Sequence, residues 1–395
     1  MTPFGHHLDK TIGQLAINAA TDAMKDAACE VGDVEAVWFA NAGQGAVDGQ
    51  HMIRGQVALR PFGFEGLPIF NVENACASGA SAIAQAMLFI QAGGDVALVV
   101  GAEKLVQLDK GRALAVFEAG IDVSMADEQL ETVMALGMGV PYSPGTGSRF
   151  MDIYAAIARQ HMRLFGTTRE DLAHVSAKNH AHSIHNPRAH FRRMFSVEEV
   201  LAGRLVADPL TLPMCSPVSD GAAATLLCSE AMLKKLDCRK RAVRLDACVV
   251  RTGVTRHADD LDKQIGRLTS LAAYERAGLS PEDVDVAEVH DAAAIAEIIQ
   301  IENLGFAERG QGGFVTRSGA TSLGGRIPVN PSGGLESKGH PIGATGIGQI
   351  FELVSQLRGE AGERQVKGAK VAVAENGGGF WGVEEAVCAV SVLTV

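Results

Sequence analysis

Hydrophobic positions in the first part of the chain alternate between helical and strand-like spacing. Apolar residues recur at every third or fourth position from Ile12 to Ala27, which predicts a helix over about residues 11–29. Three short continuous apolar runs predict buried strands at residues 35–41, 68–74 and 95–103. The small residues between the second and third runs predict another helix over 76–92. This alternation is typical of an α/β fold with a mostly parallel sheet.

The alternation is interrupted once and then resumes. From about Leu105 to Leu212 the chain is rich in Pro, Gly, His and Arg, and its clearest helical stretch covers residues 151–166. The apolar run at 221–230 is again typical of a strand. We interpret residues 105–212 as an inserted loop domain, and insertions at the edge of a sheet commonly build binding surfaces.

The order of elements in the first unit returns in a second unit. Apolar runs predict strands at residues 243–250, 284–290, 327–331, 370–376 and 385–393. Helical spacing predicts three helices: one at residues 262–278, one that follows the strand at 284–290 and ends at Gly305, and one at residues 341–358. We therefore predict a duplicated α/β fold, with one half formed by residues 1–241, including the insertion, and the other by residues 242–395.

A direct repeat supports the duplication. Residues 76–85 read CASGASAIAQ, and residues 340–349 read HPIGATGIGQ. Gly, Ala, a hydroxyl residue, Ile and Gln occupy the same steps in both segments. Cys76 in the first segment is matched by His340 in the second, so a cysteine and a histidine occupy equivalent positions in the two halves.

Composition narrows the class of protein. A chain of 395 residues exceeds the size that one core usually serves, which agrees with two halves. With 47% hydrophobic residues but only 5% aromatic ones, the chain suits helices and sheets that approach closely. A net charge of −11, without clusters of Lys and Arg, argues against nucleic acid and anionic membranes as partners.

Composition also bears on location and redox state. No apolar run approaches the roughly 18 residues of a membrane span, and residues 1–4 lack the features of a secretion signal, so we expect a cytoplasmic protein. The seven cysteines are odd in number and scattered without CxxC spacing. We expect reduced thiols, most of them small buried residues.

Three weaker motifs carry little weight. The tract HAHSIH at 180–185 lacks a neighbouring cysteine or carboxylate, and GTGSRF at 145–150 lacks the third glycine of a dinucleotide site. Arg188, Arg192 and Arg193 could meet the phosphates of a CoA-type ligand, but an ordinary solvated face explains them as well. We predict no metal in this chain.

Cys76 is a candidate nucleophile. It follows a predicted strand, begins a predicted helix and is surrounded by small residues, so its sulfur should meet the positive end of the helix with little steric cover. Such a position is expected to lower the pKa of the thiol and to keep it reachable. The alternative is a small buried residue, which is the usual role of a free cysteine.

His340 is a candidate base. It stands at the start of the predicted helix that matches the Cys76 helix, after Gly339 and before Pro341. An imidazole near a helix N-terminus tends to stay neutral and could accept the thiol proton. A lone histidine is more often structural, but its place in the repeat predicts that it faces Cys76.

Two further segments end predicted strands at the same edge of the fold. His290 could donate a hydrogen bond to a thioester oxygen as that oxygen becomes negative, and one such contact is worth about 3 kcal/mol. A helix capped by Asp291 explains that segment equally well. The N–H groups of residues 376–379 (Asn-Gly-Gly-Gly) could also bind an oxyanion, although a tight turn is a sufficient explanation.

In combination, these motifs resemble the thiolase superfamily, and specifically its sterol-carrier-protein-type branch. The resemblance covers almost the whole chain and rests on four segments in the same order: NVENACASG (71–79), LTLPMCSPVSDGAAA (210–224), VHD (289–291) and NPSGGLESKGHPIGATG (330–346). It implies the duplicated thiolase fold, a five-layer α/β/α/β/α arrangement with an inserted loop domain.

The resemblance also implies roles for individual residues. Cys76 becomes the acylated nucleophile, His340 its activating base and part of an oxyanion hole, and His290 the partner that replaces an asparagine of other thiolases. Asn376 occupies a catalytic position at the end of the last parallel strand. Coenzyme A enters as co-substrate, and we assign its binding to four residues: Ser332, Gly333, Gly378 and Gly379.

The chain departs from the family at the second catalytic cysteine. Degradative thiolases place it where Asn376 stands, and the sterol-carrier branch places it where Ala292 stands. The group that handles the proton of the α-carbon is therefore open: a histidine, a water held by Asn376 or a group of the substrate could serve. The small residues at 292–294 would open space beside the site, so we expect a bulky or aromatic acyl group.

The leading hypothesis is thiolytic cleavage of a β-ketoacyl-CoA through an acyl-Cys76 intermediate, in a degradation pathway. Benzoylsuccinyl-CoA, which some members of this branch cleave to benzoyl-CoA and succinyl-CoA, is one substrate by analogy. The alternatives are acyl transfer to an activated carbon acceptor and a non-catalytic lipid-binding or scaffold subunit. The resemblance implies a homodimer, and some relatives without the second cysteine work with a small zinc-ribbon/OB-type companion subunit.

Overall fold

The computed structural model describes residues 1–107, 110–138, 148–236 and 239–395. Residues 145–147 of the GTGSRF motif and Cys238 lie outside these ranges. The strands are β1 Ala36–Ala40, β2 Ile69–Val72, β3 Val96–Glu103, β4 Leu205–Ala207, β5 Leu210–Thr211, β6 Gly221–Cys228, β7 Arg244–Thr252, β8 Val286–Glu288, β9 Val371–Gly378 and β10 Val387–Thr394.

Helices connect these strands and cover both sheets. In chain order they are α1 Ile12–Asp26, α2 Gln44–Asp48, α3 Arg54–Leu59, α4 Ser78–Gln91, α5 Lys110–Glu118, α6 Ala126–Met134, α7 Arg149–Phe165, α8 Arg169–Ser183, α9 Val197–Leu201, α10 Glu230–Leu233, α11 Ile265–Ala277, α12 Ala294–Asn303, α13 Gly312–Arg317, α14 Gly334–Lys338 and α15 Thr345–Leu357. No helix in these described ranges combines the length and the apolar character that a bilayer crossing requires.

The first sheet has the order β2-β1-β3-β6. Its first three strands are parallel, as predicted, and β6 joins β3 in antiparallel orientation. The helix α1 begins where the sequence predicted, because the Thr11 hydroxyl accepts from the Gln14 N–H and caps it. Its apolar face packs on the outer side of this sheet.

The second sheet has the order β7-β10-β9-β8 and is mainly antiparallel. Only the β8–β9 pair is parallel, whereas β10 pairs in antiparallel orientation with both β9 and β7. The prediction of a mostly parallel sheet was therefore wrong for this half. The strand predicted at 327–331 does not form either, because a single bridge between Val329 and Ala287 is all that joins it to β8.

Two helices lie between the sheets and form the central layer. Apolar residues of α4 and α15 share one core with residues of both sheets. Further helices, among them α1 on one side and α11 and α12 on the other, form the outer layers. The five-layer α/β/α/β/α arrangement is thus confirmed, and α4 and α15 are the helices that follow Cys76 and His340.

The segment between β3 and β6 carries α5–α9 and the small β4–β5 sheet. Within its described residues, α7 and α8 pack against α12, and the apolar side chains of these helices form a core with Leu335 of α14. The insertion therefore reaches across to the second half of the chain and lies over the segment that contains His290.

Candidate active site

Cys76 lies on a sharp turn between β2 and α4. Ala75 has a φ of 48°, the left-handed conformation that a residue with a side chain rarely adopts, and it turns the chain just before the cysteine. The Ser78 hydroxyl donates to Ala75 O at 2.6 Å and accepts from the Asn74 N–H at 2.8 Å, which holds the turn. The turn places Cys76 two residues ahead of α4, in the wall of a cavity of about 290 Å³.

The proton state of Cys76 differs from the prediction. Burial raises the pKa of the Cys76 thiol to about 12. A hydrogen bond from the Gly379 N–H opposes this rise, whereas the carboxylates of Glu103 and Glu385 add to it. The prediction of a lowered pKa was wrong, because burial outweighs the helix end. Cys76 is a protonated thiol at neutral pH and needs a base before it can act as a nucleophile.

His340 offers a base at the required distance. Its Nε2 lies 3.2 Å from Cys76 Sγ. His340 does not begin a helix, as had been predicted, because a short 3₁₀ turn over 342–344 separates it from α15. Burial lowers the pKa of His340 well below its usual value, and the charges of His290 and Lys338 add to this effect. The imidazole is therefore neutral, as predicted, and can accept the thiol proton.

The Thr345 hydroxyl determines which nitrogen of His340 carries the ring hydrogen. Thr345 Oγ1 donates its single hydrogen to Pro341 O at 3.0 Å, so it acts as an acceptor toward its other neighbour. Nδ1 of His340 lies 2.7 Å from this oxygen and is therefore the protonated nitrogen. Nε2 is left with a lone pair for the Cys76 thiol. The sequence analysis gave Thr345 no role, although the repeat matches it with Ser81.

His290 stands across the site from His340. The two ring centroids are 5.1 Å apart and the ring planes are 82° to each other. The Asn376 amide nitrogen donates to His290 Nδ1 at 3.1 Å, so the ring hydrogen of the neutral His290 is on Nε2. Burial lowers the pKa of His290 to about 3, which keeps it neutral. One ring nitrogen of each histidine and Cys76 Sγ lie within 4.8 Å of one another.

The end of β9 closes the site beside Cys76. β9 runs two residues beyond the predicted strand end at residue 376, so Asn376 lies inside β9. A side chain at Gly378 would lie 2.5 Å from Asn74 O, so only glycine allows β9 to approach the cysteine turn this closely. Gly379, with a φ of 60°, directs its N–H to the Cys76 sulfur. Both glycines line the cavity, whereas Asn376 reaches it through His290.

Ser332 and Gly333 lie elsewhere. Ser332 is fully buried and donates to the Glu288 carboxylate through its N–H at 3.0 Å and its hydroxyl at 2.6 Å. Lys338 Nζ lies 2.9 Å from the same carboxylate. Gly333 packs against Ser183 of α8. The structure thus places Ser332 in a buried charged network and Gly333 against α8, and neither residue lines the cavity. Their assignment to CoA stays a prediction.

The cavity walls are mainly apolar and come from both halves. Phe150, Met151 and Tyr154 of α7 line one side, and Ala292 lines another. Ala292 is thus where the expected extra space lies, whereas residues 293 and 294 are buried in the core behind it. The α7 residues were missed by sequence reasoning. Their apolar side chains share one helix face, and the expectation that the insertion builds a binding surface was the only signal for them.

Comparison with known proteins decides the family. The thiolase N-terminal domain family matches residues 1–231, and the thiolase C-terminal domain-like family matches residues 249–390. The chain belongs to the thiolase family. This thiolase is an acyltransferase, as its relatives are. Members of the family use CoA as a substrate.

Three relatives show its place among thiolases. An acetyl-CoA acetyltransferase of Methanothermobacter thermautotrophicus is 38% identical over 384 residues, which are 96% of this chain and 95% of that protein. The benzoylsuccinyl-CoA thiolase subunit BbsB of Thauera aromatica is 38% identical over 93% of this chain and 89% of its own length. Sterol carrier protein 2 of Bos taurus is 38% identical over 92% of this chain, but the match spans only 65% of that longer protein.

Solved structures share the thiolase fold along the whole chain. A chain of the Ltp2-ChsH2(DUF35) aldolase superposes with a TM-score of 0.77 at 21% identity, covering 100% of this thiolase and 95% of that chain. Human mitochondrial 3-ketoacyl-CoA thiolase in complex with CoA gives a TM-score of 0.70 at 19% identity, with 100% and 96% covered. At these identities the likeness shows the fold alone.

Proposed function

We propose that this thiolase cleaves a bulky or aromatic β-ketoacyl-CoA with CoA through an acyl-Cys76 intermediate. The observation that carries the proposal is the Cys76–His340 pair, with Sγ 3.2 Å from Nε2 at the wall of an open cavity. A thiol beside a correctly oriented neutral imidazole is the arrangement that a cysteine nucleophile requires. No other described thiol lines this cavity.

The geometry supports a separate role for each of four residues, which are Cys76, His340, His290 and Asn376. His340 takes the proton as Cys76 Sγ attacks the keto carbon, and returns it when sulfur leaves at the end of the cycle. The Nε2–H of His290, held by Asn376, is directed to stabilise negative charge on a substrate oxygen. Cys76 Sγ and one ring nitrogen of each histidine lie within 4.8 Å of one another, so one carbonyl group can lie among the three side chains.

The walls of the cavity support the choice of acyl group. Phe117 and Phe150 offer aromatic contact surface, and Ala119, Gly120 and Ala292 leave room between them. An aromatic acyl chain fits such a lining better than an acetyl group does, because a larger apolar area is removed from water. A relative named benzoylsuccinyl-CoA thiolase subunit, 38% identical, supports benzoylsuccinyl-CoA as the specific substrate.

We also propose that the active assembly is a homodimer that works with a small companion subunit. The name of the Thauera aromatica relative describes a subunit, and the aldolase neighbour contains a DUF35 protein beside Ltp2. Within the described residues the second catalytic cysteine is absent from both positions where the family places it. A companion could order the CoA chain near the cavity, and such a subunit fits the zinc-ribbon/OB type.

Mass spectrometry tests the acyl-enzyme directly. After incubation with benzoylacetyl-CoA and no free CoA, the peptide containing Cys76 should gain one benzoyl group, because the leaving acetyl-CoA stays in solution. Cys76→Ser should gain none and should lose at least about a thousandfold in cleavage rate. Cys215→Ser, a buried thiol outside the cavity, is the matched control and should behave as the wild type. Benzoylation of another residue, or none at all, would refute the proposal.

A further inference from the structure

Cleavage of a β-ketoacyl-CoA needs an acid that the residues assigned so far do not include. When the carbon–carbon bond breaks, its electron pair moves to the α-carbon of the departing acyl-CoA, which must take up a proton. His340 is not free at that moment, since it holds the proton of Cys76. The family position at 376 carries an amide and the one at 292 a methyl group. Another polar group that lines the cavity is therefore a candidate for this acid.

Among the described residues, four polar ones line the cavity besides Cys76 and the two histidines: Arg54, Glu73, Tyr154 and Ser216. Arg54 donates to Asn41 O at 2.7 Å, and a guanidinium group is a poor acid in proteins. Glu73 is exposed at the rim, where its carboxylate accepts from the Ala75 N–H at 2.6 Å. The Ser216 hydroxyl is far less acidic than a phenol.

Tyr154 has the properties that the other three lack. It is 9% exposed, and its ring belongs to the core between α7 and α12. Tyr154 lines the cavity, and its hydroxyl has no hydrogen-bond partner among the residues of the described ranges. A buried hydroxyl of this kind lowers the free energy of the site when a substrate atom pairs with it.

The electrostatics keep this phenol protonated. Burial raises the pKa of Tyr154 well above its usual value, and the charges of Glu385, Cys76, Glu375 and Asp291 act in the same direction. Cys76 itself acts on the phenol, and Glu385 raises the pKa of both Tyr154 and Cys76, so the phenol and the thiol share one electrostatic environment. A protonated phenol can act as an acid toward a carbanion, which is far more basic than a phenolate.

We propose that Tyr154 is the catalytic acid that protonates the α-carbon of the departing acyl-CoA. The role rests on the proposed function. The cycle then balances: the Cys76 proton passes to His340 as the sulfur–carbon bond forms, the carbon–carbon bond breaks, and the Tyr154 proton passes to the α-carbon. Free CoA next gives its thiol proton to the tyrosinate and attacks the acyl-Cys76 thioester. Cys76 leaves and regains its proton from His340.

Two reactions separate this role from acyl transfer itself. Exchange of labelled CoA into benzoyl-CoA needs Cys76 and His340 but no proton on carbon, whereas cleavage of benzoylacetyl-CoA needs all three groups. We expect Tyr154→Phe, which removes only the hydroxyl, to slow cleavage by about a hundredfold to ten-thousandfold. Exchange should stay within about threefold of the wild type, because the entering and leaving thiols can pass their proton through His340.

Each outcome of this comparison is decisive. Tyr274→Phe, the same change at a buried phenol outside the cavity whose hydroxyl donates to Leu304 O, should keep both reactions. If Tyr154→Phe cleaves at the wild-type rate, or if it loses exchange and cleavage equally, Tyr154 is not the acid. If Ser216→Ala alone loses cleavage, the serine has that role. A wild-type enzyme that lacks even the exchange reaction would overturn the proposed function itself, which is a different result.

Discussion

The Cys76 thiol and the His340 imidazole share one proton, which rests on sulfur. Burial raises the pKa of the thiol to about 12 and lowers the pKa of the imidazole well below its usual value. Each pKa unit corresponds to about 1.4 kcal/mol, so moving the proton to His340 before substrate binds costs several kcal/mol. In the proposed reaction, the attack of sulfur on a carbonyl carbon and the transfer of its proton to His340 therefore occur together.

The pH dependence of alkylation tests this proton state. Iodoacetamide reacts with the thiolate, so the rate at Cys76 should rise about tenfold per pH unit between pH 7 and 10, without levelling off near the usual cysteine value. The alkylation rate rises with pH because the raised pKa of Cys76 lies above this range, so the thiolate fraction still grows throughout it. Mass spectrometry of the Cys76 peptide gives the rate, with Cys76→Ala as the blank. A rate that stays constant from pH 6 to 9 would indicate a thiolate–imidazolium pair instead.

The sequence predicted that Cys76 and His340 form a pair, but it did not predict that the proton stays on the sulfur. The repeat alone identified Cys76 and His340 as equivalent residues. It could not show that Glu103 of β3 and Glu385 of the β9–β10 connection approach the sulfur, because these residues are distant along the chain. The hydrogen bond between Thr345 and His340 could not be predicted for another reason. A hydroxyl in the first turn of a helix is common, and Thr345 acts as an acceptor toward His340 only because it donates to Pro341 O.

At the scale of elements, the small residues after Cys76 and His340 let two helices meet. A Cβ at Gly346 of α15 would lie 2.7 Å from Ala80 N of α4, and one at Gly79 of α4 would lie 3.0 Å from Gly343 O. Such approaches exclude any side chain. Cys76 lies two residues before α4, and the 3₁₀ turn at 342–344 joins His340 to α15, so the close packing of these helices sets the distance between sulfur and imidazole.

Replacing Gly346 by alanine tests this packing. Alanine is favoured over glycine in a helix by about 1 kcal/mol, whereas overpacking a core costs about 1–3 kcal/mol. The added methyl group would also lie 2.4 Å from Asn376 Oδ1, the residue that holds His290. We expect packing to dominate, so Gly346→Ala should lower the free energy of unfolding by about 1–2 kcal/mol in urea titrations and should reduce cleavage.

A glycine without neighbours offers the matched control. A Cβ at Gly32 meets nothing within 4 Å, and Gly32→Ala should leave stability unchanged or slightly raised. If Gly346→Ala is as stable as the wild type, the two helices have room to separate and the distance between Cys76 and His340 is set elsewhere.

The elements that were predicted wrongly share one physical cause. Runs of apolar residues such as 385–393 show that a strand is buried, but the direction of its neighbours depends on connections that the pattern does not contain. The antiparallel β10 beside β9 is of this kind. Residues 327–331 contain two prolines, which cannot donate to a ladder, and only one bridge forms there.

At the scale of the whole molecule, the site exists only when all parts of the chain are folded together. The first half contributes Cys76, the second half His290 and His340, and the insertion covers them with Tyr154. The boundary at residues 241 and 242 remains a prediction. It separates Cys76 from both histidines, so neither half can be expected to react alone.

One edge of this molecule is suited to a second copy. β2 is the outermost strand of the first sheet and has β1 on one side only. An edge strand presents backbone groups that another strand can pair with, and a two-fold axis lets two identical edges pair in antiparallel orientation. Phe70 of β2 is 48% exposed and Leu88 of the adjacent α4 is 62% exposed. Apolar side chains of this size are costly to leave in water, so we predict that this edge forms the homodimer.

Light scattering tests this prediction on the full chain. The wild type should have twice the mass of the 41.4 kDa chain, and Phe70→Asp combined with Leu88→Asp should have the mass of one chain, since two buried carboxylates would face their copies across the axis. Phe314→Asp, a substitution of a residue that is 59% exposed on α13, controls for added charge and should stay dimeric. If the double variant keeps the dimer mass, the copies meet at another surface. A monomeric wild type would leave β2 free for the companion subunit, because an open strand edge can pair with either partner.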